Sequence, residues 1–206
     1  MKNHNKLLML LIVLLVATPV LAITGYRIMS IPLTTTLTWH PHNSLGFTLT
    51  SFASAAANTW NAAPGNLRFA MSTVSTGSIV LGDTRNDVGY VRFSQAGLPA
   101  NMVGAAFVVV TTLNGQSRHR NFDLLLNADQ PFGNGNSQSF NDWQGIFTHE
   151  FGHAVGLDDL YVYSQGLPIP SMYGFNTDIF GRNITFDLRT LEIGDRNGKA
   201  DIAGRI

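Results

Sequence analysis

Three observations predict an α+β fold for this chain. Segments with strand character, rich in threonine or β-branched residues, cluster before residue 130. One segment with helical spacing lies among them, and a second helix, carrying two histidines, follows them. At 206 residues and 45% apolar composition, the chain is long enough for one domain with a real core.

Residues 31–39 alternate loosely and are rich in threonine, which reads as a strand ended by Pro41 and Asn43-Ser44. The spacing of Phe52, Ala55, Ala56, Thr59 and Trp60 predicts a helix over 48–61, stopped by Ala63-Pro64-Gly65. Strands are expected at 67–74 and, briefly, at 78–81, the latter closed by Gly82-Asp83. No period is clear over 84–102, where Gly89, Gly97 and Pro99 mark an ordered loop with a short strand near Tyr90. Residues 103–112 are strongly β-branched and read as a strand. Asn114-Gly115 is a hairpin signal, and 121–127 is the next strand. A polar loop spans 133–139. Asn141 or Asp142 then caps a helix with Trp143 in its first turn. The stretch after Asp159 is irregular, with Gly166, Pro168 and Pro170. Phe186 or Asp187 opens a last helical segment, weakened by Asn197-Gly198. There is no internal repeat.

Composition removes several function classes. Basic and acidic residues number 13 each, and no basic run exists to bind phosphates, so no nucleic-acid partner is expected. The chain has no cysteine, which excludes thiol catalysis, cysteine zinc sites and disulfide staples. The start reads as an address: Lys2 and Lys6, an apolar run over 7–16, then Thr18-Pro19 and Val20-Leu21-Ala22, suited to cleavage after Ala22. Residues 1–22 are therefore expected to be a signal peptide and 23–206 the mature domain. An uncleaved membrane anchor is the alternative; either way the domain sits outside the cytoplasm. Asn183-Ile184-Thr185 is a glycosylation sequon that chance explains.

Chemistry concentrates in residues 149–159, which read H-E-x-x-H-x-x-G-x-x-D. Four residues on a helix make about one turn, so His149 and His153 can offer two imidazoles to one metal. Glu150 projects beside that face, within reach of a water in the metal's open position. Gly156 lies where the helix should stop, and glycine accepts the left-handed conformation that reverses the chain. That reversal can bring Asp159 back as a third ligand, leaving the vacancy that catalytic zinc requires. H-E-x-x-H alone recurs by chance; Gly156 and Asp159 at fixed offsets make the pattern specific. Asp158 competes with Asp159, and the spacing from Gly156 favours Asp159.

These residues resemble the metzincin clan of zinc endopeptidases, and most of all its matrixin branch. His149, Glu150, His153 and Gly156 match the signature directly. Residues 57–61 with Leu67-Arg68-Phe69 are similar to the first matrixin helix and second strand, and 122–127 resemble the strand below the active site. Ser171-Met172-Tyr173 resembles the Met-turn, which places Met172 beneath the metal, and residues 191–195 look like the opening of the final helix. Two departures stand out. Asp159 replaces the usual third histidine, as in a smaller group that includes snapalysin, and the last helix contains Gly198 and lacks an aromatic finish.

The resemblance implies a zincin-like fold. Its twisted mixed sheet of about five strands packs with an N-terminal helix and the active-site helix, and a C-terminal helix follows the Met-turn. It implies a secreted, monomeric zinc endopeptidase acting on an extended polypeptide, with one catalytic Zn²⁺ on His149, His153 and Asp159. Glu150 is then the general base, and residues 103–112 are the edge strand that receives substrate. Phe175 is a candidate wall of the pocket just beyond the cut bond. No cysteine-bearing propeptide is present to cap the metal. A second zinc on His119, Asp83 and Asp87 is disfavoured against solvated surface residues, and Ca²⁺ at Asp83, Asp87 or Asp129 has no support. Trp39, Trp60 and Trp143 read as core, and His40 and His42 as exposed turn residues without a role. The alternatives are a non-catalytic zinc-binding protein and a zinc amidase or deacetylase.

Overall fold

Pleated strands gain most where both edges find partners, and parallel pairing supplies most of those partners here. The computed structural model describes residues 26–162 and 168–206. The expected signal peptide and Gly166 lie outside them. The strands are β1 (Ile31–Pro32), β2 (Thr36–Pro41), β3 (Arg68–Met71), β4 (Asp87–Val91), β5 (Gly104–Leu113) and β6 (Gln116–Asn127), with a separate pair β7 (Phe132–Gly133) and β8 (Asn141–Asp142). The helices are α1 (Gly46–Ala62), α2 (Phe93–Ala96), α3 (Trp143–Val155) and α4 (Ile193–Ala203). The main sheet runs β1-β6-β4-β2-β3, all parallel, and β5 joins β6 antiparallel. Arg118 and Leu124 are each paired on both sides. Strand β5 therefore covers one edge of β6, β1 and β4 follow each other along the other, and the outer edge of β5 has no partner among the described strands.

Several expectations change. The single strand expected over 31–39 is two, because the chain bends over 33–35 to pair first with β6 and then with β3 and β4. Residues 78–81 form no strand; Ile79 instead packs against the small cluster of Phe93, Ala105 and Leu125. The short strand near Tyr90 is β4, a central strand between β2 and β6. The last helix opens at Ile193, not at 186–187, where only a 3-10 turn forms. Glu192 and Asp195 cap it reciprocally. Gly198 is a close approach: a Cβ there would lie 2.6 Å from Leu157 Cδ2 and 2.9 Å from Tyr26 Cγ.

The core lies between the sheet and the helices α1 and α3. Phe151 of α3 meets Trp39, Phe69 and Phe122 edge-on, geometry that favours aromatic pairs beyond their buried area. Trp60 of α1 is fully buried and donates from Nε1 to the Thr148 carbonyl of α3 at 2.7 Å. Buried Lys199 closes the same, C-terminal end of α1, donating to the Trp60 and Ala63 carbonyls at 2.6 and 2.9 Å. That places a cation on the negative end of the helix dipole. The sequon is used internally: Asn183 Oδ1 accepts from Thr185, its amide donates to the Phe140 carbonyl, and Thr185 is buried. No described helix is long and apolar enough to cross a membrane.

Candidate metal centre

Helix α3 begins where Asp142 accepts from Gly145 N at 2.8 Å and ends where Gly156 adopts φ 113°. The end is fixed by more than the dihedral. A Cβ on Gly156 would collide with the Ser30 carbonyl, because the segment before β1 is laid across this turn. Met29 N donates to Gly156 O, Asp158 N donates to Arg27 O, and Arg27 pairs with the Asp158 carboxylate at 3.0 Å. Asp158 therefore turns towards Arg27, and the following residue turns back over the helix.

That residue is Asp159. Its Oδ1 lies 3.2 Å from His149 Nε2 and 3.5 Å from His153 Nε2. Donors held about 2.0–2.1 Å from a tetrahedral ion are about 3.4 Å from one another, so the spacing matches a shared Zn²⁺. The tautomers match as well. His149 Nδ1 donates to the Ser171 carbonyl at 2.8 Å and His153 Nδ1 to the Leu157 carbonyl at 2.9 Å, because a carbonyl can only accept. In its neutral form each ring then turns an Nε2 lone pair inward. Asp159 Oδ1 is buried and accepts no hydrogen bond, although a buried carboxylate oxygen normally does.

The titration behaviour ties the same residues together. Burial disfavours charge on His149, but the Asp159 carboxylate and Glu150 outweigh it and raise the pKa to about 9. Burial disfavours the Asp159 anion too, yet the two imidazoles hold it well below the usual carboxylate range. Within the trio, a proton on His149 balances the Asp159 carboxylate. Among the described residues this is the one group of three or more His, Asp or Glu side chains close enough to share an ion.

Glu150 is 5% exposed, and burial raises its pKa. Its carboxylate lies under Gly104 of β5, where a Cβ would come within 2.5 Å of Oε1. Beneath the helix, the buried Met172 packs its sulfur into the space left by Gly152. Asp195 positions that turn: its carboxylate accepts from Ser171 N at 2.9 Å and Met172 N at 3.3 Å. The trio opens on a cleft of about 680 Å³ walled by Met102, Val103, Ala106, Ile146, Phe175 and Leu188, among others. Phe175 is 50% exposed at its rim.

The structure gathers His149, Glu150, His153, Asp159, Gly156 and Met172 at one place and sets Asp158 apart. Other assignments change. His119 is no surface residue; it is fully buried between Ser30 Oγ (2.8 Å) and the Ala154 carbonyl (3.0 Å). Asp87 is also buried, with Arg85 at 2.9 Å. Asp83 accepts from Arg85 N, and Asp129 faces Arg92 and Ser94 N. His42 is no idle turn residue, since its Nδ1 accepts from Ser44 N and caps the 3-10 turn before α1. Trp39 and Trp60 are core, and Trp143 stacks on Phe132 with ring centroids 4.3 Å apart. Sequence reasoning missed the roles of Asp195, Arg27 and Gly104. The capping spacing Glu192-x-x-Asp195 was the readable signal for the first; the others carry none. No protein-family model and no curated protein matches the chain.

Proposed function

We propose that this chain is a secreted, monomeric zinc endopeptidase with a zincin-like, matrixin-related fold, exported by residues 1–22. His149, His153 and Asp159 would hold the Zn²⁺. When bound, the ion supplies Lewis acidity towards a water and towards the substrate carbonyl. Glu150 takes the proton from the attacking water and hands it to the departing amine. Burial raises its proton affinity in the direction a general base at neutral pH requires. The open outer edge of β5 offers main-chain hydrogen bonds to an extended peptide, and Gly104 keeps that edge close over Glu150.

The observation that carries this reading is the partly buried donor trio beside Glu150, opening on a cleft lined by residues of a strand whose outer edge has no partner among the described strands. A purely structural zinc site needs no adjacent base and usually recruits a fourth protein ligand. A zinc amidase or deacetylase would have no use for a strand-long edge.

The Glu150→Gln variant is expected to keep its zinc while hydrolysis of an unfolded protein falls by about 10²–10⁴-fold. Unchanged hydrolysis would remove Glu150 from the chemistry. Cleavage of small acetylated or amidated compounds in preference to polypeptide would favour the amidase class.

A further inference from the structure

The carboxylate of Asp159 has two oxygens, and they are treated differently. Oδ1 turns inward to the imidazoles, and Oδ2 accepts from the Tyr161 hydroxyl at 3.1 Å. We propose that Tyr161 is a positioning residue that aims Asp159, holding Oδ2 away so that Oδ1 alone serves the metal. The inference rests on the zinc-site reading above.

The surrounding backbone is built for this contact. Leu160 N donates to Met172 O at 2.7 Å and Gly174 N to Leu160 O at 2.8 Å, lacing the ligand-bearing segment to the turn of Met172. Gly174 has no side chain where one would wedge the pair apart. A Cβ there would lie 2.7 Å from Tyr161 Cε1 and 3.1 Å from Asp159 Cβ and Cγ. The ring of Tyr161, 55% exposed, also rests against Phe175, with centroids 5.4 Å apart. Aspartate on a turn has fewer packing contacts than an imidazole to fix its direction. A donor on its second oxygen supplies the missing constraint, as outer hydrogen bonds do for metal ligands in general.

The test compares zinc affinity of the full-length wild type and Tyr161→Phe by competition with a chromophoric chelator, together with the visible spectrum of the Co²⁺-loaded forms. Phenylalanine keeps the ring against Phe175 and removes only the donor. The expected result is about tenfold weaker zinc binding and an altered Co²⁺ spectrum, with the melting temperature of the metal-free protein unchanged. Affinity within twofold of a zinc-binding wild type, with an identical Co²⁺ spectrum, overturns the role of Tyr161 and leaves the zinc site standing. A wild type that binds no zinc overturns both. Gly174→Ala, which wedges the same contact while keeping the hydroxyl, should weaken zinc in the same direction; unchanged affinity there also counts against the proposal.

Discussion

Two aspartates bound the same helix, one fully buried and one partly exposed, and their partners differ. At the start of α3, Asp142 is fully buried and every demand is met within the chain: Gly145 N and Arg189 Nε bind Oδ1, while Gly135 N and Arg189 Nη2 bind Oδ2. Past the end of α3, Asp159 turns a buried oxygen towards two imidazoles and receives no donor there. The first arrangement is self-sufficient and fixes where the helix begins. The second, on the function proposed above, would be completed by a cation. Arg118 Nε and Ser171 Oγ are also buried without a hydrogen-bond partner, so what marks Asp159 Oδ1 is the pair of imidazoles it faces.

This contrast can be broken most visibly at Asp159. The Asp159→Ala variant is expected to lose its zinc on dialysis, a weakening beyond about a hundredfold, since even outer-shell changes cost 10–100-fold. Asp158→Ala should retain it, because Asp158 faces Arg27. The reverse ranking, read by metal analysis of the dialysed variants, would reassign the ligand.

At the other end, Asp142→Ala leaves the Arg189 guanidinium without its carboxylate and removes the helix cap. A loss of about 3–5 kcal/mol in unfolding free energy is expected by denaturant titration. A loss below about 1 kcal/mol would mean the pair is not what fixes the helix start.

A smaller effect sharpens the comparison with another fully buried group. His119 joins the segment before β1 to the last turn of α3 through Ser30 and Ala154, and burial depresses its pKa to about 4. The unfolded chain takes up this proton near pH 6.5. Stability from this group is therefore complete above about pH 6.5 and is lost as pH falls towards 4, to a limit of about 3 kcal/mol. Denaturant midpoints of wild type and His119→Phe across that window should converge towards pH 4. Parallel curves would show that His119 does not contribute the slope.

How far the sequence could be read follows the range of the interactions. The centre was legible because its determinants are local: two histidines one turn apart, an aspartate cap, a glycine stop and a ligand three residues later. The Asn114-Gly115 turn was legible for the same reason, with both residues at positive φ. Strand β4 read as little more than loop because Gly89 interrupts its pattern and its partners lie 36 residues away in β6 and 47 in β2. His119 read as surface because nothing nearby in sequence announces Ser30 or Ala154. Tyr161 offered no signal of its own, since its part depends on Gly174 leaving room and on Asp159 having a second oxygen.

The most direct measurement is the metal content of the purified protein after equilibration with a small excess of Zn²⁺ and removal of the free ion, at neutral pH. The account predicts one zinc per chain in wild type and none in the His149→Ala, His153→Ala double variant that still folds. A folded wild-type protein that retains no zinc, or a double variant that retains as much, would contradict it.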